Sequence, residues 1–547
     1  MSSAGALPRN FLWLLATVFA LVWFGTLEHR RLINPDEGRY AEIPREMVAS
    51  GDWTTPRLND IKYFYKPPLQ YWATAAAFTV FGEHHWTARL WPALTGFLGI
   101  LLTAFATARL FSPLAGLIAG AVLGSSVLWT VIGHANTLDM GVSALLAAAV
   151  LALCLAQHDN SATSRRWGDG AWVLLALATL SKGLIGLVLP AATVAAYMLW
   201  QRDWGLLKRL RLVRGIAILL AITAPWFIAV SIANPEFPRF FFIHEHFERF
   251  LTKTHGRYQP PWYFIPILLV GMIPWLGSLV QGLWLGRKES GPGFSAQRFL
   301  LTWSVVVFGF FSVSSSKLPS YILPIFPAIA VLIAVYLAQC EGRASLRWQA
   351  VPAMLLGLAA LLLAALAPRF ANKEVGIELY HAYQPWLYAA SVSLLAGGIA
   401  AFVFGRQGRS LAFVLALAFG GHAFGQLFLL GHDTIGQVNS SYDAARAIRH
   451  KLPPGVPFFS AETYDQSLQF YLQRTTTMVA YRDELSFGIA QEPEKFIETR
   501  VEFENRWHQL PTAWALMSPL TWDEMQRKGL PMTVQFRDSR RVIVSKP

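Results

Sequence analysis

The chain has 547 residues, of which 54% are hydrophobic and only 14% charged, against about 25% charged in an ordinary soluble chain. Its apolar residues fall in blocks near the length of a bilayer span, which excludes a soluble globular enzyme. The net charge of +13 does not point to nucleic acid, because much of it lies in short loops between apolar segments, where it reads as membrane orientation.

In chain order, the first apolar segment covers about residues 10–28. One Arg precedes it and no convincing cleavage site follows, so it is expected to stay as a first span. A densely charged loop, Leu32 to Tyr71, comes next, with Asp36, Glu37, Arg39, Glu42, Arg45, Glu46, Lys62 and Lys66. Segment 69–82 is apolar but only about 14 residues long, which favours an interfacial helix over a crossing. With that segment on the surface and the N-terminus in the cytoplasm, spans fall near 89–110, 114–133, 139–157, 170–181, 184–200, 215–233, 262–284, 298–314, 321–338, 350–367, 385–404 and 410–431. The short loops bearing Arg109, Arg165 and Arg166, Arg202 to Arg214, Arg287 and Lys288, Arg343 and Arg347, and Arg406 and Arg409 then all lie inside, as orientation by basic residues requires. The expectation is a polytopic α-helical membrane protein with about 13 transmembrane helices, the span at 170–181 being the weakest. Cys154 and Cys340 lie in or beside apolar segments and support neither a disulfide framework nor a cysteine metal site.

After Gly431 the composition changes. Helical patterns (Tyr442–Leu452, Gln466–Leu472, Pro493–Leu510, Thr521–Gly529) alternate with strand-like runs (Pro457–Ser460, Thr477–Ala480, Ala513–Met517, Met532–Phe536, Arg541–Val544). This reads as a small soluble α/β domain over 433–547, behind a transmembrane catalytic domain over 1–432. It carries no Gly-rich phosphate fingerprint and no metal spacing.

The outward loops 29–88, 234–261 and 314–321 collect the residues that can do chemistry. Asn34-Pro35-Asp36-Glu37 is a helix-start signature, with Asn34 as cap and Glu37 as the capping-box acid. Asp36 is not explained by capping, and Arg39 either pairs with it or faces an anionic ligand. Lys66, between Tyr63-Phe64-Tyr65 and Pro67-Pro68, is a cation held extended at the membrane surface, suited to a lipid phosphate, although snorkelling is the commoner use of such a lysine. Asp139 sits at the outer end of a span, where a charge is costly and a functional candidate, or a helix cap. In Ile243 to Arg249 a helix would align Glu245 with Arg249. His246 is the residue there best placed to hold a divalent metal, though a structural histidine is the more common outcome. Lys317 and Tyr321 bring a cation and a phenol to another span entrance, where interface anchoring is the alternative. Asp36, Asp139 and Glu37 are thus the catalytic candidates, and Lys66, Arg39, Tyr63, Lys317, Tyr321 and Arg249 the phosphate-binding ones. Carboxylates plus fixed cations at one membrane face are what transfer from a lipid-linked phosphosugar requires.

The runs PDEGRYAEIPREMVASGDW (Pro35–Trp53), YFYKPPLQYW (Tyr63–Trp72) and SKLPSYILPIFP (Ser316–Pro327) resemble the GT-C membrane glycosyltransferases of the protein mannosyltransferase type. More closely, they resemble the lipid A aminoarabinose transferases, over essentially the whole chain. The resemblance implies a GT-C fold, a bacterial inner-membrane location, a site and a C-terminal domain facing the periplasm, and inverting transfer of 4-amino-4-deoxy-L-arabinose from undecaprenyl phosphate to lipid A phosphates, with resistance to polymyxin as the outcome. By the same resemblance Asp36 is the family's catalytic acid, Asp139 its second acidic position, and Lys66 and Arg39 the donor-phosphate side. Tyr65 departs from relatives that carry Glu before the Lys-Pro, which puts a metal contact from that position in doubt. The expected partners are the undecaprenyl-phosphate-linked donor, lipid A and membrane lipids, with no nucleic acid, and the chain is expected to act as a monomer. A GT-C transferase acting on a protein hydroxyl or another glycan is the nearest alternative. A transporter or lipid flippase would show inverted repeats and broken helices near the bilayer midplane; no clear internal repeat is evident, and the charges lie at span ends.

Overall fold

The computed structural model describes residues 9–158, 161–248, 258–288 and 293–546. From the N-terminus, α1 (Arg9–Gly25) leads into a loop and then α2 (Asp36–Ser50), followed by a hairpin of β1 (Arg57–Leu58) and β2 (Ile61–Lys62). Next come α3 (Leu69–Phe81), α4 (His85–Leu110), α5 (Pro113–Ser125), α6 (Val127–Gly133), α7 (Leu138–Ala156), α8 (Ala162–Lys182), α9 (Ile185–Gln201), the short α10 (Leu206–Arg209) and α11 (Leu212–Ala233). Beyond these, long apolar helices run over Ala296–Val313, Val351–Leu366, Ile377–Arg406 and Ser410–Gly431.

Among the described residues, eight helices are long and apolar enough to cross a membrane, or ten if each of two bent pairs is one span. The bent pairs replace two straight spans expected from the sequence. One breaks by 64° between α5 and α6, the other by 114° between Pro261–Gly271 and Leu276–Leu285. The breaks satisfy one another: the Val127 amide donates to the Ile273 carbonyl at 3.2 Å and the Trp275 indole to Ser125 Oγ at 3.0 Å. That matters because no water reaches a freed backbone group in apolar surroundings. Within α4, Thr103 and Thr107 return their hydroxyls to carbonyls one turn back, so both polar groups are internally satisfied. α1 and α9 are shorter, with 17 residues each. α8 is longer than the expected 170–181 segment and takes in Arg165, Arg166 and Asp169 at its start. α3 has 13 residues, about 20 Å of helix by its rise, too short for a bilayer core, and it packs against α2 and α4.

The C-terminal part holds a six-stranded sheet in the order β5-β4-β3-β6-β8-β7. β3 (Phe458–Ala461), β4 (Thr477–Val479), β5 (Phe496–Ile497) and β6 (Trp514–Met517) run parallel, and β7 (Thr533–Arg537) and β8 (Val542–Ser545) close one edge antiparallel. All five expected strand runs are present. The expected helix over 493–510 is interrupted by β5 and resumes at Arg500. Two-residue β5 pairs with β4 through its backbone, which an apolar count cannot register.

This sheet domain grips the charged loop. Asn59 and Asp60 both adopt positive φ in the hairpin turn, and the Glu46 carboxylate accepts their amides at 2.5 and 2.8 Å. The Asn59 side chain then exchanges two hydrogen bonds of 2.7 Å with the Thr476 backbone. Glu492 accepts from Arg57 at 2.9 Å and from the Lys62 amide at 3.0 Å. Two glycines allow the approach: a Cβ on Gly38 would lie 2.7 Å from the Gln466 backbone, and one on Gly488 would lie 2.2 Å from the Lys62 carbonyl oxygen. Gly488→Ala is therefore expected to loosen the domain from the loop. Faster hydrogen exchange at 57–62 and 476–492, with the transmembrane helices unchanged, is the result that checks it.

Candidate active site

The loop's geometry is set by one buried ion pair. Glu37 is only 3% exposed, and its two carboxylate oxygens accept from Arg89 Nε at 2.7 Å and a terminal Arg89 nitrogen at 2.9 Å. The remaining Arg89 donors go to the carbonyls of Leu27, Arg30 and Arg31 at 2.9, 2.6 and 2.9 Å. Glu37 also accepts the Ile33 and Asn136 amides at 3.2 and 3.0 Å. One residue pair thereby joins the end of α1, the start of α2, α4 and the turn before α7. Glu37, expected among the catalytic acids, is instead committed on both oxygens and acts as a positioning residue. The expected cap differs too: α2 starts at Asp36 after Pro35, with no side-chain cap.

With Glu37 turned inward, its neighbour Asp36 faces outward, its side chain 42% exposed. Asp36 pairs with Arg39 at 3.1 Å, one turn along α2. The Asn136 amide bonded to Glu37 lies three residues before Asp139, so the same hub places the second carboxylate at the N-terminus of α7. Asp139 takes a very short contact from Lys182 at the end of α8, and accepts from Ser320 Oγ at 2.8 Å. The Lys182 ammonium sits 4.8 Å from the centre of the Tyr321 ring. Asp36 and Asp139 share a neighbour in Tyr40: burial first, and then both carboxylates, push its phenol up from the usual value. The structure thus brings Asp36, Arg39, Asp139 and Tyr321 together.

Lys182 joins them; the sequence places Ser181-Lys182-Gly183 among the outward loops without marking Lys182 as a site residue. It closed a span, where a lysine ordinarily snorkels, and only its pairing with Asp139 across helices distinguishes it.

Tyr63 adjoins Arg39 through Glu484, while Lys66 and Lys317 have other partners. Lys66 bonds the Tyr65 carbonyl at 2.8 Å and lies 3.6 Å from the Glu245 carboxylate, while the Tyr65 ring packs edge-on against Phe240. Tyr63 is buried, its hydroxyl 3.4 Å from Glu484 and its ring 4.9 Å from that of Tyr65. Lys317, expected to bind phosphate, is 4% exposed and bonds the carbonyls of Gln259 and Ser314, so it holds two loops together beside the backbone bridge of Tyr258 and Ser316. Arg249 and the His246 side chain lie outside the described residues. Among the described residues, no group of three or more His, Cys, Asp or Glu is gathered to hold a metal ion.

A helical membrane bundle that presents paired carboxylates and cations at one mouth, gripped by a sheet-bearing C-terminal domain, has the layout of a sugar transferase using a lipid-linked donor. Comparison with known proteins narrows this. Residues 65–228 match the dolichyl-phosphate-mannose-protein mannosyltransferase family and 444–546 the aminoarabinose transferase C-terminal domain. An undecaprenyl phosphate-α-4-amino-4-deoxy-L-arabinose arabinosyl transferase of Edwardsiella ictaluri is 34% identical, over 70% of this chain and 75% of its own. The crystal structure of ArnT from Cupriavidus metallidurans bound to undecaprenyl phosphate superposes with TM-score 0.94 at 37% identity, over 98% of both chains. An oligosaccharyltransferase of Archaeoglobus fulgidus, at 13% identity and TM-score 0.54 over 93% of this chain and 69% of its own, shares the fold. The chain belongs to the undecaprenyl phosphate-aminoarabinose arabinosyl transferase family and is a GT-C glycosyltransferase with a lipid-linked donor.

The hub has a pH signature. Burial alone would raise the Glu37 carboxyl, but the Arg89 guanidinium outweighs it and holds the group at about 2, against an ordinary 4.5. A depressed carboxyl stabilises fully above the unfolded value, so this contribution is complete above pH 4.5 and is lost as pH falls toward 2. Glu37→Gln is expected to cost about 3–5 kcal/mol at neutral pH, because it leaves Arg89 buried without its counter-charge. Unfolding midpoints from pH 7 to pH 3 check this: the gap between wild type and variant narrows on acidification.

Proposed function

We propose that the chain moves 4-amino-4-deoxy-L-arabinose from undecaprenyl phosphate to lipid A phosphate groups, at the periplasmic face of a bacterial inner membrane, as a monomer. The observation that carries this reading is the pairing of Asp36 with Arg39 and of Asp139 with Lys182 at one mouth of the bundle, in a chain of this family. An oxygen of the acceptor phosphate attacks the anomeric carbon from the face opposite the donor phosphate. The bond from that carbon to the donor oxygen breaks, and its electron pair leaves on undecaprenyl phosphate, so the sugar is inverted. The leaving phosphate gains a charge as it departs, and Arg39 and Lys66 are the cations assigned to it.

A phosphate acceptor is already anionic near neutral pH. Asp36 therefore has no proton to remove and serves to orient the acceptor or the sugar's ammonium group. Asp139, held by Lys182 and Ser320, is the second carboxylate of the site. The basic residues in the short loops expected at the other ends of the helices support the outward placement. Attaching an amine to lipid A phosphates lowers their net negative charge and with it their attraction for cationic peptides such as polymyxin.

The test is mass spectrometry of lipid A from a Gram-negative host lacking its own aminoarabinose transferase, with and without this chain. An added aminopentose that appears with wild type and nearly vanishes with Asp36→Asn, at equal expression and thermal midpoint, is the expected result. Unmodified lipid A with the wild-type chain would remove the acceptor assignment. Preserved transfer in purified Asp36→Asn would remove the role given to that residue.

A further inference from the structure

We propose that Glu484, supplied by the C-terminal domain, is the counter-anion of Arg39 that competes with the donor-side phosphate and limits how tightly undecaprenyl phosphate is held. The inference rests on the reading of Arg39 as a donor-phosphate residue and assigns the C-terminal domain a part in the site. One terminal nitrogen of the Arg39 guanidinium donates to Asp36 at 3.1 Å, and the other lies 2.6 Å from a Glu484 carboxylate oxygen as an ion pair. Its Nε is buried and has no hydrogen-bond partner. A guanidinium carries five N–H donors in a fixed fork that suits a carboxylate or a phosphate equally well. The fork is thus only partly used, and its shorter contact is made with a group from a different domain.

Glu484 is not a loose surface charge. Its other oxygen accepts from Gln466 Nε2 at 2.8 Å, and the Tyr63 hydroxyl lies 3.4 Å from the oxygen facing Arg39. Three residues on, the Phe487 ring stacks 3.8 Å from that of Phe240, on the π-helical turn Arg239–Glu248 that also carries Glu245, the partner of Lys66. Gly488 presses against the Lys62 carbonyl. The segment is wedged between the two parts of the loop system that hold the phosphate-side cations.

With little solvent to screen it, a carboxylate so close to Arg39 offsets much of that residue's pull on an arriving anion. Transfer turns a phosphodiester with one negative charge into a phosphate monoester approaching two. The product is therefore held more strongly than the donor, and a resident carboxylate that recaptures Arg39 assists its departure.

The experiment titrates undecaprenyl phosphate onto the full chain in nanodiscs, for wild type, Glu484→Gln and Glu484→Asp. Glu484→Gln keeps an acceptor for Gln466, removes the charge and turns an amide NH2 toward Arg39 in place of the accepting oxygen. It is expected to tighten the Kd about fivefold or more and to lower the donor KM in parallel. Glu484→Asp, with the charge kept on a shorter arm, falls between and guards against a folding defect in the first variant. Unchanged or weaker binding in both variants would overturn the proposal, since a merely structural Glu484 would lose affinity by misplacing Arg39. Failure of wild type itself to bind undecaprenyl phosphate would overturn the functional reading and this proposal with it.

Discussion

Everything at the mouth of the bundle depends on where the Glu37 carboxylate points. Paired with Arg89 and bonded to two backbone amides, it gathers four stretches of chain that are far apart in sequence. A charge pair this deeply buried costs desolvation energy that a hydrophobic pair would not. What it supplies is geometry. Arg89 has directional donors in several directions at once, and three of the carbonyls it satisfies belong to the turn between α1 and α2. No apolar side chain can fix a loop in that way. Asp36 points to solvent because its neighbour points inward, and Asp139 enters the first turn of α7 three residues after Asn136, which is tied to the same carboxylate.

A second layer of charges works on different terms. Arg39 with Asp36 and Glu484, Lys182 with Asp139, and Lys66 with Glu245 are each neutralised locally. A mouth lined with unpaired cations would capture any anionic headgroup in the surrounding membrane. Pre-paired cations instead release their affinity only to a ligand able to displace or share the partner, which favours a phosphate presented in register over a passing lipid. The C-terminal domain takes part in this through Glu484 and holds the loop through Thr476 and Glu492. It is joined to the transmembrane part by polar contacts that need close backbone approach, which is why glycines stand at 38 and 488.

Much of this was legible in the sequence, and the remainder has a physical explanation. Apolar blocks report burial directly, so most of the long helices, the short α3 and five of the six strands of the C-terminal sheet fall where hydrophobic patterning places them. Bends do not show in such a count: the 114° turn near Pro274 sits inside a run that reads as one span. Among the site residues, Asp36 stood out because helix capping did not explain it, and Asp139 because a charge at a span end is costly. Glu37 and Lys317 were misjudged for a shared reason. A charged residue in an active-site loop reads the same whether it faces substrate or is spent on buried protein partners, as Glu37 is on Arg89 and two amides and Lys317 on two carbonyls, and only the fold distinguishes them. Lys182 and Glu484 were missed because their meaning comes from partners 43 and 445 residues away.

The most direct test of the account is a double-mutant cycle on the hub, with Glu37→Gln, Arg89→Met and the two combined, followed by equilibrium unfolding in detergent. If a single buried charge pair organises the mouth, each single variant strands its partner's charge or polar fork. The double variant is then no less stable than the worse single one, with a coupling energy of about 2 kcal/mol or more. Losses that simply add would show that the two residues act independently, and the account of a shared hub would be contradicted.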